Sequence, residues 1–378
     1  MTRKKIKVFY LINSMALGGA ERQMAELVRR LPKDRFEAVL CSLGPENGYP
    51  NLLPAGQPRY VAEGRLSLGL FKQVRGWIEQ ENPDIVHSFM EYASLFNRLV
   101  SPGPSNPIVI TSVRSRMMHP KYRLIEAWLA RRCDMIVVNS VGTRDELIKW
   151  QRVPADKVRV IPNIVAFERF GPRDEETRTR LREELNLCGP TFLLPGRISL
   201  SKHQFGLAAA VGRLKKRGLL PDNSTFLLAG RVYASSVERV LPAWLGYTGT
   251  QDTFRYLGKV KQMADLYSAV DWVVLPSLWE GLPNVALEAH ACERPLLVSH
   301  AANLDRIVKD CVTGFEFRSG WVQPMAAAIK RALETDRPRA LEMGRLGRQR
   351  VLSMFDPEHA LEQVTKLYDE LLMRRRRG

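Results

Sequence analysis

The feature that most constrains this chain is an alternation of short apolar runs with helix-period segments, sustained from one end to the other. Residues 6–12 (IKVFYLI) read as a strand buried on both faces. A glycine turn follows at Leu17-Gly18-Gly19-Ala20. Met24, Leu27, Val28 and Leu31 then recur at i, i+3, i+4 and i+7, one face of a helix. Further strand-length runs stand at 38–40, 84–87, 108–113, 135–139 and 158–161. After a connection at 162–176 rich in Pro, Gly and charge, a second series stands at 191–194, 225–229, 254–257, 272–275, 296–299 and 314–317. Repeated βα units predict parallel sheets covered by helices. Three helical segments close the chain, the last from about residue 357 to 373.

A chain of 378 residues exceeds one ordinary core, so two domains are expected. Apolar residues at 45% and charged residues at 26% describe a globular enzyme rather than a disordered chain. No apolar run reaches the roughly 18 residues of a spanning helix. The basic N-terminus leads straight into a strand-length run, which reads as a first strand and not a secretion signal. Cys41, Cys133, Cys188, Cys292 and Cys311 stand far apart without a Cys-x-x-Cys, which argues against disulfides and a zinc site and fits a reducing cytosol. The net charge of +17 favours an anionic partner: a phosphate-bearing substrate, an anionic lipid surface or nucleic acid.

Three segments carry the chemistry. In residues 276–289 (PSLWEGLPNVALEA) a strand ends in a loop. Gly281 lets the backbone approach a ligand, and Pro283 suits the first turn of a helix whose N–H groups can bind phosphate. Glu280 sits on the loop and Glu288 about one and a half turns inside the helix, roughly 7–8 Å along its axis. Two carboxylates so spaced can address different parts of one ligand; the alternative is that they merely decorate a helix start. In residues 194–203 (LPGRISLSKH) the Arg197 fork and the Lys202 point charge suit a diphosphate, or form a solvated basic loop. The third segment, Gly18-Gly19-Ala20-Glu21-Arg22, permits close backbone approach at a helix start. It is not the dinucleotide fingerprint, and a plain tight turn reads it equally well.

Taken in order, these segments resemble the family 4 (group 1) retaining glycosyltransferases of the GT-B fold. The resemblance spans nearly the whole chain. It rests on Gly18-Gly19-Ala20-Glu21, Pro83-Asp84-Ile85-Val86-His87-Ser88, Val160-Ile161-Pro162-Asn163, Gly196-Arg197 with Lys202, Phe254-Arg255-Tyr256-Leu257-Gly258, and Glu280 through Glu288 with Pro295, ending at Asp310-Cys311-Val312-Thr313-Gly314-Phe315. It implies an α/β protein of two Rossmann-like domains facing each other across a cleft. Residues 1–165 would form the acceptor side and 166–356 the nucleotide-sugar side. A helix over 357–378 would pack back on the first domain and carry a basic tail. The implied activity is hexosyl transfer from a nucleotide sugar, UDP-linked by preference, to a glycan or lipid-linked hydroxyl, as in polysaccharide or lipopolysaccharide assembly. No metal or other cofactor is implied, and the implied place is the cytoplasm, with contact at the inner face of the membrane.

By the same resemblance Arg197 and Lys202 bind the donor diphosphate, Glu280 touches the transferred sugar, and Glu288 takes the ribose hydroxyls. Backbone amides of Gly281, Leu282, Pro283–Asn284 and Val285 surround phosphate or sugar oxygens, with Gly196 beside them. Lys259 and Val260 border the nucleobase, and Gly18 and Gly19 line the cleft. His87 either contacts substrate or simply holds a strand end. Where many relatives have Thr-x-His, this chain has Ser112-Val113-Arg114. An arginine is no general base at neutral pH, but it can bind an anionic acceptor such as a lipid phosphate. A second histidine common after the His87 position is Phe89 here, and the common Asn-Gly-Val-Asp hinge is Asn163-Ile164-Val165-Ala166.

Residues 114–132 interleave basic side chains with Trp128 and aliphatics, which suits an anionic membrane or an ordinary helix packing its Trp128 face on the sheet. Arg374, Arg375, Arg376 and Arg377 form the basic tail. Two other functions compete. One is an inactive copy of the fold that binds polyanion, although no nucleic-acid module accompanies the charge and no nucleic acid is expected as partner. The other is a GT-B epimerase or phosphorylase.

Overall fold

The computed structural model describes residues 4–16, 18–49, 51–62, 67–100, 107–114, 127–232 and 235–377. They form two compact units, residues 1–164 with 357–378, and residues 165–356. The first unit contains β1 (Ile6–Ile12), β2 (Phe36–Ser42), β3 (Arg59–Val61), β4 (Ile85–Phe89), β5 (Ile108–Val113), β6 (Met135–Val138) and β7 (Val158–Val160). They pair in parallel in the order β3-β2-β1-β4-β5-β6-β7. The second unit contains β8 (Thr191–Pro195), β9 (Thr225–Ala229), β10 (Phe254–Gly258), β11 (Trp272–Leu275), β12 (Leu296–Ser299) and β13 (Gly314–Phe317), parallel in the order β10-β9-β8-β11-β12-β13.

The apolar runs are continuous because each sheet is covered on both faces. Along β1, Val8, Tyr10 and Ile12 face one core, with Met24, Leu27 and Val28 of the helix Gly19–Arg30. Phe9 and Leu11 face the other, with Leu70, Val74 and Ile78 of the helix Leu68–Glu81. In the second unit Phe192 and Leu194 pack with the helices Gln204–Lys216 and Val322–Glu334, and Leu193 with the helix Asn284–Ala291. Two helix starts carry side-chain caps: Ser67 accepts from the Leu70 N–H at 3.2 Å to open Leu68–Glu81, and Asp174 from Thr177 at 2.8 Å to open Glu175–Glu184.

Three features differ from the sequence reading. β3 carries no periodic signal, being three half-buried residues that follow Pro58 at the sheet edge. The last helix, Pro357–Arg377, runs through the four arginines, so the basic end is helical rather than a loose tail. Arginine is a good helix former, and cations in the last turn complement the helix dipole. This helix buries Ala360, Leu361, Val364, Leu367, Tyr368 and Leu371 in the same core as β1. Of the basic stretch at 114–132, residues 115–126 lie outside the described residues. Beyond them, Trp128 does not pack on the sheet: it is 52% exposed under the Arg132 guanidinium, and Leu129 is buried instead. No helix among the described residues is long and apolar enough to cross a membrane.

Candidate active site

In the second unit the strand order reverses between β8 and β11. Open α/β sheets take ligands at the carboxyl ends of strands where this happens. The loops after these two strands carry Arg197 with Lys202, and Glu280, respectively.

The loop after β8 is held to its neighbours by backbone bonds. Gly196 N donates to Ala229 O at 2.7 Å and Ile198 N to Arg231 O at 2.8 Å. The end of β9 and the loop after it, which accept them, are tied in turn to β10 by Gly230 N donating to Gly258 O at 2.8 Å. Gly196 takes φ +118, and a Cβ there would stand 3.1 Å from the Lys202 Cε, so its missing side chain lets the lysine stem lie across it. A turn at Leu200–Lys202 and a left-handed His203 open the helix Gln204–Lys216. Gln204 is buried and grips the loop twice: its Nε2 donates to Arg197 O at 2.9 Å, and its Oε1 accepts from Ser199 N at 3.3 Å. Arg197 itself is exposed.

The loop after β11 meets this one directly. Leu278 N donates to Ser201 O at 2.8 Å. Lys202 Nζ lies 2.5 Å from Glu280 Oε1, which also accepts from Ser277 Oγ at 2.7 Å. Ser277 is steadied from behind, its carbonyl accepting from Ser299 Oγ at 2.6 Å. Both side chains of the pair are largely withdrawn from solvent, with 14% and 17% exposed. The ammonium has three N–H groups, one of which this carboxylate takes.

The loop then runs through buried Gly281, Leu282 and Pro283 into the helix Asn284–Ala291, with Asn284 and Val285 half-buried. Pro283 is not in the first turn as the sequence suggested; it caps that turn from outside with φ −75 and ψ 103, and its carbonyl accepts from Ala286 N at 3.0 Å. Glu288 is buried one turn inside, where its Oε2 accepts from the Tyr267 hydroxyl at 3.1 Å. Lys259, exposed, and Val260, half-buried, follow β10 at the same end of the sheet. Thus Lys202 and Glu280 are in contact, Arg197 shares the lysine's loop, and Glu288 lies on the helix that the glutamate's loop feeds. Gln204, Ser277, Ser299 and Tyr267 hold them in place and escaped the sequence reading.

In the first unit Gly18 caps the helix Gly19–Arg30. Its N–H donates to the Tyr49 hydroxyl at 3.1 Å, and that hydroxyl donates back to its carbonyl at 2.8 Å. His87 is wholly buried in β4, with Nδ1 2.7 Å from the Tyr368 hydroxyl and Nε2 2.8 Å from Ser112 Oγ. Tyr368 in turn lies 3.1 Å from the Tyr10 hydroxyl. With both ring nitrogens engaged by the protein, His87 holds the strand end to the last helix, and the arrangement favours that reading over substrate contact. Arg114 follows β5 and bonds Asn163.

Burial drives the His87 pKa down to about 3, helped by the Arg114 charge, and does the same to His290 in the second unit. Both are neutral when folded, whereas a histidine in an unfolded chain takes a proton near pH 6.5. The unfolded state therefore binds more protons between pH 6.5 and about 3. Stability is full above that window and falls by about 1.4 kcal/mol per pH unit per histidine on acidification through it. Urea melts from pH 7 to 4.5 should show this, with His87→Gln removing the histidine share of the slope in the first unit alone. An unchanged slope in that variant would refute the assignment.

Family models match in two blocks: Glycosyltransferase Family 4 over residues 17–169, and Glycosyl transferases group 1 over residues 189–335. Among curated relatives, the D-inositol 3-phosphate glycosyltransferase of Streptomyces scabiei is 30% identical over 333 residues, spanning 79% of this chain and 74% of its own. The UDP-Gal:alpha-D-GlcNAc-diphosphoundecaprenol alpha-1,3-galactosyltransferase of Escherichia coli is 24% identical over 396 residues, 98% of this chain and 99% of its own. Among solved structures, Anabaena HepE in complex with UDP and glucose superposes with a TM-score of 0.85 at 19% identity, covering 97% of this chain and 100% of that one.

Proposed function

The chain belongs to the family 4, group 1 glycosyltransferases and has their GT-B fold, and on that premise we propose that it moves a sugar, with retention, from a UDP-linked donor to a glycan or lipid-linked acceptor hydroxyl. The observation that carries the reading is the Lys202–Glu280 pair at the strand-order reversal of the second unit, with Arg197 on the same loop. The preference for UDP is supported by the UDP-Gal donor of the E. coli galactosyltransferase and the UDP in the Anabaena complex, and the lipid-linked acceptor by the former.

In this reaction the bond from the sugar's anomeric carbon to the phosphate oxygen breaks, and UDP leaves with the electron pair. The acceptor oxygen bonds the same carbon from the face that UDP leaves, and its proton passes to the departing phosphate oxygen. Negative charge thus grows on the β-phosphate. Lys202, held by Glu280, is a cation in place before the event, and Arg197 on the same loop adds a second positive charge to meet the developing one, the role a metal ion fills elsewhere. Glu280, which Lys202 and Ser277 bond, would hold hydroxyls of the transferred sugar, and Glu288, which Tyr267 bonds, the ribose.

A thermal-shift titration with UDP, GDP and ADP tests the donor assignment. UDP at 100 times its Kd should stabilise the second unit by about 2.7 kcal/mol. Arg197→Ala should lose most of that gain, since a bidentate charged contact to phosphate disappears. Equal stabilisation of Arg197→Ala, or no response of the wild type to any of the three, would sink the donor assignment.

A further inference from the structure

The carboxyl end of the first unit's sheet holds a cation that pairs with no acidic group among the described residues. Arg114 directly follows β5, which adjoins β4, and β4 adjoins β1 where this sheet reverses its strand order. It therefore stands at the end where such sheets take ligands. Its guanidinium carbon lies 5.0 Å from the centre of the Phe89 ring, and one N–H donates to Asn163 Oδ1 at 2.7 Å. Its Nε is buried with no hydrogen-bond partner. A guanidinium has five N–H donors, and a neutral amide oxygen takes one of them without compensating the charge.

The surroundings keep that charge and fix its position. Burial lowers the Arg114 pKa to about 10, so it stays protonated at neutral pH. His87, close enough for the two to interact, is neutral, with Tyr368 and Ser112 on its two nitrogens. The Phe89 ring and the Asn163 bond hold the guanidinium, whose own planar fork suits a planar or tetrahedral anion. A half-buried cation without a counter-charge is costly, and a ligand anion would remove that cost.

We propose that Arg114 anchors a phosphate group of the acceptor, so that the acceptor of this enzyme is phosphate-bearing. This rests on the reading of the first unit as the acceptor side. The same chemistry is offered by a lipid-linked sugar diphosphate and by a water-soluble sugar phosphate.

Calorimetric titration of the full chain with saturating UDP tests it, using wild type, Arg114→Gln and Arg114→Lys. One probe is glucose 1-phosphate. The other is an undecaprenyl-diphosphate-linked sugar in phosphatidylcholine nanodiscs. Wild type should bind one of them, Arg114→Gln should bind it about 10-fold or more weakly, and Arg114→Lys should fall between. Which probe binds decides between the two sources. UDP affinity should stay within about 2-fold in all three proteins, as expected of a change that spares the second unit. Equal probe binding by Arg114→Gln, failure of wild type to bind either probe, or loss of UDP binding in Arg114→Gln would each overturn the proposal. If UDP failed to bind the wild type while a probe bound through Arg114, the donor reading would fall and the anchor would stand.

Discussion

Replacing Lys202 with alanine is expected to lower sugar transfer by about 10²–10³-fold, the usual cost of removing one preorganised group facing a developing oxyanion. Two losses combine. The leaving phosphate loses a cation that is in place before the bond breaks. Glu280 loses a partner at 2.5 Å and keeps Ser277 on the same oxygen, so a mostly buried carboxylate is left undercompensated beside an anionic substrate. The second loss predicts strong coupling: Glu280→Gln added to Lys202→Ala should restore part of the UDP affinity, because the neutral amide no longer repels the diphosphate. Rates of UDP release and UDP affinities for the two single variants and the double variant measure both effects. More than a tenth of wild-type activity in Lys202→Ala, on the donor the wild type uses best, would remove the lysine from the mechanism.

Gly230→Ala is expected to destabilise the second unit by about 2–4 kcal/mol, combining an unfavourable backbone conformation with steric overpacking. It should also weaken UDP binding by about 10-fold or more. Gly230 sits at φ +156, and a Cβ there would lie 2.0 Å from the carbonyl oxygen of Gly196 and 3.1 Å from the backbone nitrogen of Arg197. Those are backbone atoms of the loop that presents Arg197 and Lys202, so relief of the clash must displace that loop. Gly246 provides the contrast. It lies inside the helix Ser235–Thr248 with nothing within 4 Å of an added Cβ, and Gly246→Ala should gain about 0.5–1 kcal/mol. Melting both variants with and without UDP separates a displaced loop from a general loss of stability. Wild-type melting and UDP affinity in Gly230→Ala would show that the loop is not held as described.

What the sequence could disclose follows from what leaves a local pattern. β1, β5, β9, β11, β12 and β13 are mostly apolar and mostly buried, and their limits are readable to the residue. β3 is too short and too polar to show any period. Lys202 and Glu280 stood out because charged residues just after a buried strand have few reasons to be there. Their supports did not: Ser277, Ser299 and Gln204 are ordinary polar residues until the register of three strands sets them side by side. His87 shows the limit most plainly. Its partner Tyr368 is 281 residues away on the last helix, and no spacing rule links them. Position 283 misled in the opposite direction, since a proline just outside a helix and one just inside it look alike in sequence.

The last helix belongs to the first unit, although it is synthesised after the whole of the second. On the ribosome, the N-terminal sheet must therefore wait, with one apolar face incomplete, while residues 165–356 emerge as a continuous stretch able to collapse on their own. Order of manufacture and order of maturation are thereby reversed. The second unit is ready first, and the first is sealed only when residues 357–378 follow it.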